Sequence, residues 1–229
     1  MERKVLVIGT DQEQRNIGSA IAAFLQSTSY GKVVGVPYRD GHDMPSEKDM
    51  TGYTDIVVAC GYMKIEPFDE LKPDDLFTII DACLTIPLWA VQNFVRATKN
   101  NRVQPKGIVL IGSYAHNHVL SNSVPYCAAK AGIDMAVKGL AWELTGQKYN
   151  VFGVHPHSVQ DTPMTDRVIE QIMHNKILTR EQAIDYWQKD MRLGSRLTRH
   201  EIARTVYMLL TPPTRHLSGA CLELYGGER

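Results

Sequence analysis

Residues 107–130 read GIVLIGSYAHNHVLSNSVPYCAAK. The run from Gly107 to Ile111 is apolar throughout, with no polar alternation. That pattern predicts a strand buried on both faces, as in a parallel sheet. Gly112 and Ser113 end the run, and Tyr126 to Leu144 follows as a helix rich in Ala, Met and Leu. A strand that feeds a helix leaves its last residues at the carboxyl edge of the sheet, where open α/β sheets bind ligands. The Ser113 hydroxyl is expected at that edge. Tyr126 and Lys130 stand four apart on the helix and share one face.

Outward from this unit the alternation repeats. Lys4–Gly9, Lys32–Val36, Asp55–Cys60, Asn150–Val154 and Gly219–Leu224 read as strands. Asn16–Leu25, Asp74–Thr98, residues 163–191 and Glu201–Leu210 read as helices by their apolar spacing. Pro87 lies inside the long Asp74–Thr98 stretch and is expected to kink or divide it. The interval from Val36 to Asp55 is short for a helix–strand–helix unit, and no strand is assigned there. Apolar strands separated by helices specify an α/β fold with a doubly wound parallel sheet, a three-layer α/β/α arrangement of Rossmann type. No repeat or linker divides the chain, so residues 1–229 are expected to form a single domain.

With 229 residues, 44% of them hydrophobic, the chain can bury one sizeable core. Lys+Arg 25 balance Asp+Glu 25, which argues against nucleic acid or an anionic membrane as a partner. Cys60, Cys83, Cys127 and Cys221 are scattered without CxxC spacing, so no zinc or dithiol site is expected. No apolar stretch reads as long enough to span a bilayer. The opening Met1-Glu2-Arg3-Lys4 has no secretory character, and a cytoplasmic location with reduced thiols is expected.

Gly9 closes the first strand and Gly18 lies at the start of the next helix. Such a junction turns backbone N–H groups and a positive helix end toward a pyrophosphate. Gly9, Arg15, Ile17 and Gly18 are its candidate contacts. The usual fingerprint has three closely spaced glycines; two remain here, and an ordinary strand–helix turn fits them equally well. Arg39 follows the second strand, where an acidic residue accepts from a ribose 2′-OH and an arginine accommodates a 2′-phosphate. Arg15 and Arg39 together favour NADP(H) over NAD(H), with neighbouring Asp40 as the opposing signal.

A phenol titrates near about pH 10 and is a poor base at neutrality. The Lys130 ammonium and a cationic nicotinamide ring would both favour phenolate, so the Tyr126 pKa is expected to be lowered. Ser113 can hold a carbonyl oxygen while Tyr126 gives or takes its proton. A Tyr-x-x-x-Lys match alone also fits a surface helix; the strand-end serine ahead of it makes the pattern specific.

Several motifs occur in one order: Gly9, Gly61, Ser113, Tyr126-xxx-Lys130, Val154-His155-Pro156, Leu193-Gly-Ser-Arg196 and Ser218-Gly219 through Gly226-Gly227. In this the chain resembles the short-chain dehydrogenase/reductase family over nearly its whole length. The resemblance implies a nicotinamide cofactor, carbonyl/alcohol redox chemistry on a small molecule, and a homodimer or homotetramer built partly on the long helices. It implies Ser113 as substrate-orienting hydroxyl, Tyr126 as acid/base, and Lys130 as ribose ligand and modulator of Tyr126. Gly61, Pro156 and Thr162 are the implied further cofactor contacts.

The chain also departs from the family. Arg15-Asn-Ile-Gly-Ser-Ala-Ile-Ala22 is closer to the loop of enoyl-thioester reductases, which makes C=C reduction the alternative activity. Val58-Ala59-Cys60-Gly61 replaces Asn-Asn-Ala-Gly, and Cys83 stands where a helix Asn often completes a proton relay. A thiol bonds weakly, so a slower or differently routed proton supply is expected. These changes also leave open a weakly catalytic dinucleotide-binding sensor or scaffold, against which the intact Ser113, Tyr126 and Lys130 argue. His116, His118, His155 and His157 are expected to line the pocket without a metal, since no carboxylate joins them at ligand-like spacing. Residues 163–195 are expected to form a substrate-covering lid whose apolar content suits a partly hydrophobic substrate.

Overall fold

Val5 and Val7 are buried on one side of their strand, and Leu6 and Ile8 are buried on the other. The computed structural model describes residues 2–13, 15–38, 45–101, 105–189, 191–211 and 215–227. In chain order the elements are β1 (Lys4–Thr10), α1 (Ile17–Ser27), β2 (Lys32–Pro37), α2 (Glu47–Met50), β3 (Asp55–Val58) and α3 (Pro73–Ile80). Then come α4 (Ile86–Thr98), β4 (Lys106–Ile111), α5 (Val124–Leu144), β5 (Tyr149–Pro156), α6 (Pro163–Lys176), α7 (Arg180–Gln188), α8 (Arg199–Leu210) and β6 (Cys221–Leu224).

The six strands form one sheet in the order β2-β1-β3-β4-β5-β6, every pair parallel. β1 is flanked by β2 on one side and β3 on the other, so the winding reverses there. The carboxyl ends of β1 and β3 therefore border the crevice in which such sheets bind ligands. Leu6, Ile8, Ile56 and Leu110 pack under Phe94 of α4 and Ile133 and Val137 of α5. Val5, Val7, Val57 and Val109 pack under Ile21 of α1 and Ile202 and Val206 of α8. These are the two outer layers that continuously apolar strands require. Between β2 and β3 the described residues hold only the short α2, as the length of that interval predicts.

The run Pro73–Thr98 stays helical, but residues Asp81–Thr85 form a π turn. Pro87 causes it: without an N–H it cannot bond the Cys83 carbonyl, and its ring crowds the preceding turn. The turn widens instead, so that the Ile86 N–H reaches the Asp81 carbonyl. This run is also a correction. At 26 residues it is long and apolar enough to cross a membrane, contrary to the expectation from sequence. Its Ala90, Val91 and Phe94 are nevertheless buried against the sheet, as in a core helix. The helical stretch after residue 163 breaks at Ile177, whose φ of 53° ends α6.

Candidate active site

Ser113, Tyr126 and Lys130 come together at the carboxyl edge of β4, with exposures of 9%, 6% and 3%. The Lys130 ammonium donates to the Ile111 carbonyl at 3.1 Å and lies 5.7 Å from the centre of the Tyr126 ring. The Ser113 hydroxyl accepts from the Ala115 N–H at 3.2 Å, capping a short 3-10 turn over Tyr114–His116.

The Tyr126 phenol is held above its ordinary pKa, contrary to the expected lowering. Burial dominates, the Cys83 thiol adds to it, and the Ser113 side chain opposes it. The reason is solvation: a phenolate in this apolar pocket, walled by Ile79, Ala115 and Ala129, loses water it cannot replace. Cys83 faces inward from the π turn. Its sulfur accepts from the Tyr62 N–H at 3.4 Å and donates to the Tyr62 carbonyl at 3.2 Å, tying down the loop after β3. A Cβ on Gly61 in that loop would make only ordinary van der Waals contact, 3.7 Å from Lys130 Nζ and 3.8 Å from Cys83 Sγ.

At the other end of the crevice Gly9 has a φ of +96°, and a Cβ on Gly18 would lie 2.4 Å from the Gly9 carbonyl oxygen. Strand and helix thus approach as closely as two bare backbones allow, which is the cradle a pyrophosphate needs. Asn16 holds the turn: its side chain donates to the Gly9 carbonyl at 2.8 Å and accepts from the Ser19 N–H at 2.8 Å. Asp11 accepts from the Arg15 N–H at 3.0 Å and the Ser19 hydroxyl at 2.7 Å. Gly18→Ala should force this turn apart, costing about 1–3 kcal/mol and weakening dinucleotide affinity. Urea denaturation checks it, and an unchanged midpoint would contradict the close approach.

Arg15, expected at the phosphates, directs its guanidinium to Asp166 of α6 at 2.7 Å, and Arg180 joins the same carboxylate at 2.6 Å. Arg39 and Asp40 lie outside the described residues. Ile17, Gly61, Pro156 and Thr162 join the catalytic candidates around one cleft of about 320 Å³. Thr162 also caps α6, its hydroxyl oxygen accepting from the Thr165 N–H at 3.1 Å. Met63, Leu120, Met164, Val168 and Trp187 form the cleft's apolar wall, three of them from α6 and α7.

Of the histidines, His157 lines the cleft. His118 stacks on Tyr114 with ring centroids 3.9 Å apart. His116 and His155 lie behind Ser113, and here a correction is needed. A carboxylate does join them: Asp134 of α5, with ligand atoms of all three residues within 4.8 Å of one another. Sequence spacing hid it, because Asp134 comes from a helix that only the fold brings alongside β5.

His155 is fully buried, and its pKa is lowered to about 4. Burial is the main cause, His116 and Lys130 add to it, and Asp134 opposes it. Unfolding exposes a ring that binds its proton more readily, so stability falls as pH drops from about 6.5 to about 4 and levels below. The drop amounts to about 3 kcal/mol. Thermal melts across that range should be flatter for His155→Phe than for wild type; equal slopes would refute the buried neutral ring.

A family model described as enoyl-(acyl carrier protein) reductase matches residues 46–228. The chain belongs to the short-chain dehydrogenase/reductase family. It is 25% identical over 224 residues to a 3-oxoacyl-[acyl-carrier-protein] reductase of Haemophilus influenzae, covering 96% of this chain and 86% of the relative. An actinorhodin polyketide ketoreductase solved with NADPH superposes with a TM-score of 0.83 at 20% identity, covering 99% of this chain and 97% of that one. A 3-oxoacyl-[acyl-carrier protein] reductase of Brucella melitensis in complex with NAD gives 0.80 at 22% identity, covering 99% and 97%.

Proposed function

We propose that this chain reduces a carbonyl group on a partly apolar small molecule to the alcohol, with NADP(H) as its preferred dinucleotide. The observation that carries the reading is the meeting of the Ser113 hydroxyl, the buried Tyr126 phenol and the Lys130 ammonium in one cleft. The Gly9–Gly18 cradle and the cleft between it and Tyr126 fit a dinucleotide: Gly9, Ile17 and Gly18 would hold the phosphates, and Lys130, Pro156 and Thr162 the nicotinamide half. When bound, that cofactor supplies the hydride. Ser113 donates a hydrogen bond to the substrate carbonyl oxygen, and Tyr126 delivers the proton to it. The phenolate left behind is stabilised by Lys130 until solvent reprotonates it. The phenol, protonated at neutral pH and held above its ordinary value by burial, is set up to give a proton, which suits the reductive direction. Cys83, committed to Tyr62, relays protons less well than an amide would.

The apolar wall of Met63, Leu120, Met164, Val168 and Trp187 suits an acyl chain, in line with the 3-oxoacyl reductases named above. α6 and α7 act as its lid. Met135 and Trp142, the latter 91% exposed, lie seven apart on α5 and suit the seam of a homodimer or homotetramer. A second reading, reduction of an activated C=C bond, draws on the matched family's description and on the Arg15–Ala22 loop.

One assay separates the readings: NADPH and NADH oxidation over 3-oxoacyl thioesters, apolar ketones and enoyl thioesters. Turnover of enoyl thioesters alone would transfer the chain to the second reading. Dinucleotide binding without turnover of any substrate would leave a sensor. Arg39→Asp should reverse any preference for NADPH.

A further inference from the structure

Ser113 is gripped through its own peptide groups. Its N–H donates to His155 Nδ1 at 3.2 Å, and its carbonyl oxygen accepts from His116 Nδ1 at 2.9 Å. The two imidazoles stack with centroids 4.0 Å apart and 26° between their planes. Asp134 Oδ1 lies 3.4 Å from His155 Nε2, an electrostatic contact and not a hydrogen bond. Asp134 also accepts from Lys138 at 2.6 Å, so its carboxylate is itself anchored. Gly112 makes room for the ring, since a Cβ there would lie 2.2 Å from His155 Nδ1.

The bond directions decide what this cluster can do. An amide N–H only donates, so His155 Nδ1 presents its lone pair and the ring proton sits on Nε2, facing Asp134. His116, Asp134 and His155 are close enough to hold a metal. A cation on Nε2 would move the proton to Nδ1, against the Ser113 N–H, so the donor set fits a neutral His155 clamp and not a cation. The position matters too. The strand ladder closes at Gly112, whose N–H reaches the Val154 carbonyl at 2.8 Å, and the His155 side chain supplies the next acceptor.

We propose that His155, oriented by Asp134, is a positioning residue that holds the Ser113 peptide, and so its hydroxyl, in register with Tyr126. Asp134 lies on α5 with Tyr126 and Lys130, so one helix sets both halves of the reacting geometry. The kinetic consequence rests on the carbonyl-reductase reading; the clamp itself does not.

His155→Phe keeps ring volume and removes both nitrogens, whereas His155→Asn restores an acceptor near Nδ1. The Phe variant should lose about tenfold to a hundredfold in kcat with dinucleotide Kd within about twofold, and Asn should recover most of the loss. In the intact wild type, imidazole 15N NMR should show Nδ1 bare and Nε2 protonated. Full kcat in the Phe variant overturns the proposal. So does a parallel loss of kcat and dinucleotide affinity that Asn does not rescue. Zinc chloride that binds stoichiometrically and shifts the Nε2 resonance overturns it in favour of a metal site. If wild type reduces no carbonyl, the activity reading fails alone; a protonated Nδ1 would then sink the clamp, and a bare one would uphold it even should the variants not fold.

Discussion

Tyr126→Phe should lower carbonyl turnover by about a thousandfold while dinucleotide affinity stays within about twofold. The ring keeps its packing against Ile79, Ala115 and Ala129, so the change is close to the loss of one hydroxyl. That hydroxyl is the proton source in the proposed step. Wild-type reduction should be level across neutral pH, where the phenol is protonated, and should decline only where it ionises, above the ordinary phenol range. The reverse oxidation needs phenolate and should rise with pH. Stopped-flow traces at several pH values measure both limbs. A Phe variant retaining more than about a tenth of wild-type kcat would remove Tyr126 from the chemistry.

Lys130→Met should cost about a hundredfold in kcat/KM and also weaken dinucleotide binding. Methionine is unbranched and nearly as long but carries no charge, leaving the Ile111 carbonyl without its donor at 3.1 Å. The Lys130 ammonium lies 5.7 Å from the centre of the Tyr126 ring, where a positive charge favours phenolate. Its removal should shift the alkaline rise of alcohol oxidation upward. The pH profile distinguishes this from a loss of packing, which would lower the rate without moving the rise. An unshifted profile would leave Lys130 a ribose ligand only.

Much of the site was legible because it is written in local patterns. Gly107–Ile111 is apolar at every position, so its burial on both faces and the placing of Ser113 at a strand tip follow from the strand alone. Four-residue spacing puts Tyr126 and Lys130 on one face of α5 by helix geometry. Asp134 shows the opposite case. It lies far in sequence from both His116 and His155, and only the packing of α5 on β5 unites them. Arg15 was legible as a cation in the phosphate loop, but not its capture by Asp166, which depends on where α6 lands. The π turn falls between: Pro87 announces a disruption, and only the structure shows that the run widens into a π turn at Asp81–Thr85 and does not break.

What the sequence by itself determined is the alternation of buried strands and amphipathic helices, and with it the carboxyl edge of the sheet at which Ser113 sits. Periodicity is a property of neighbours along the chain, so it survives without coordinates. Tertiary structure alone decided the protonation bias of Tyr126, the neutral ring of His155 and the grip on the Ser113 peptide. Each of these depends on how much water is excluded and on which distant groups face the site, and no local spacing carries that information.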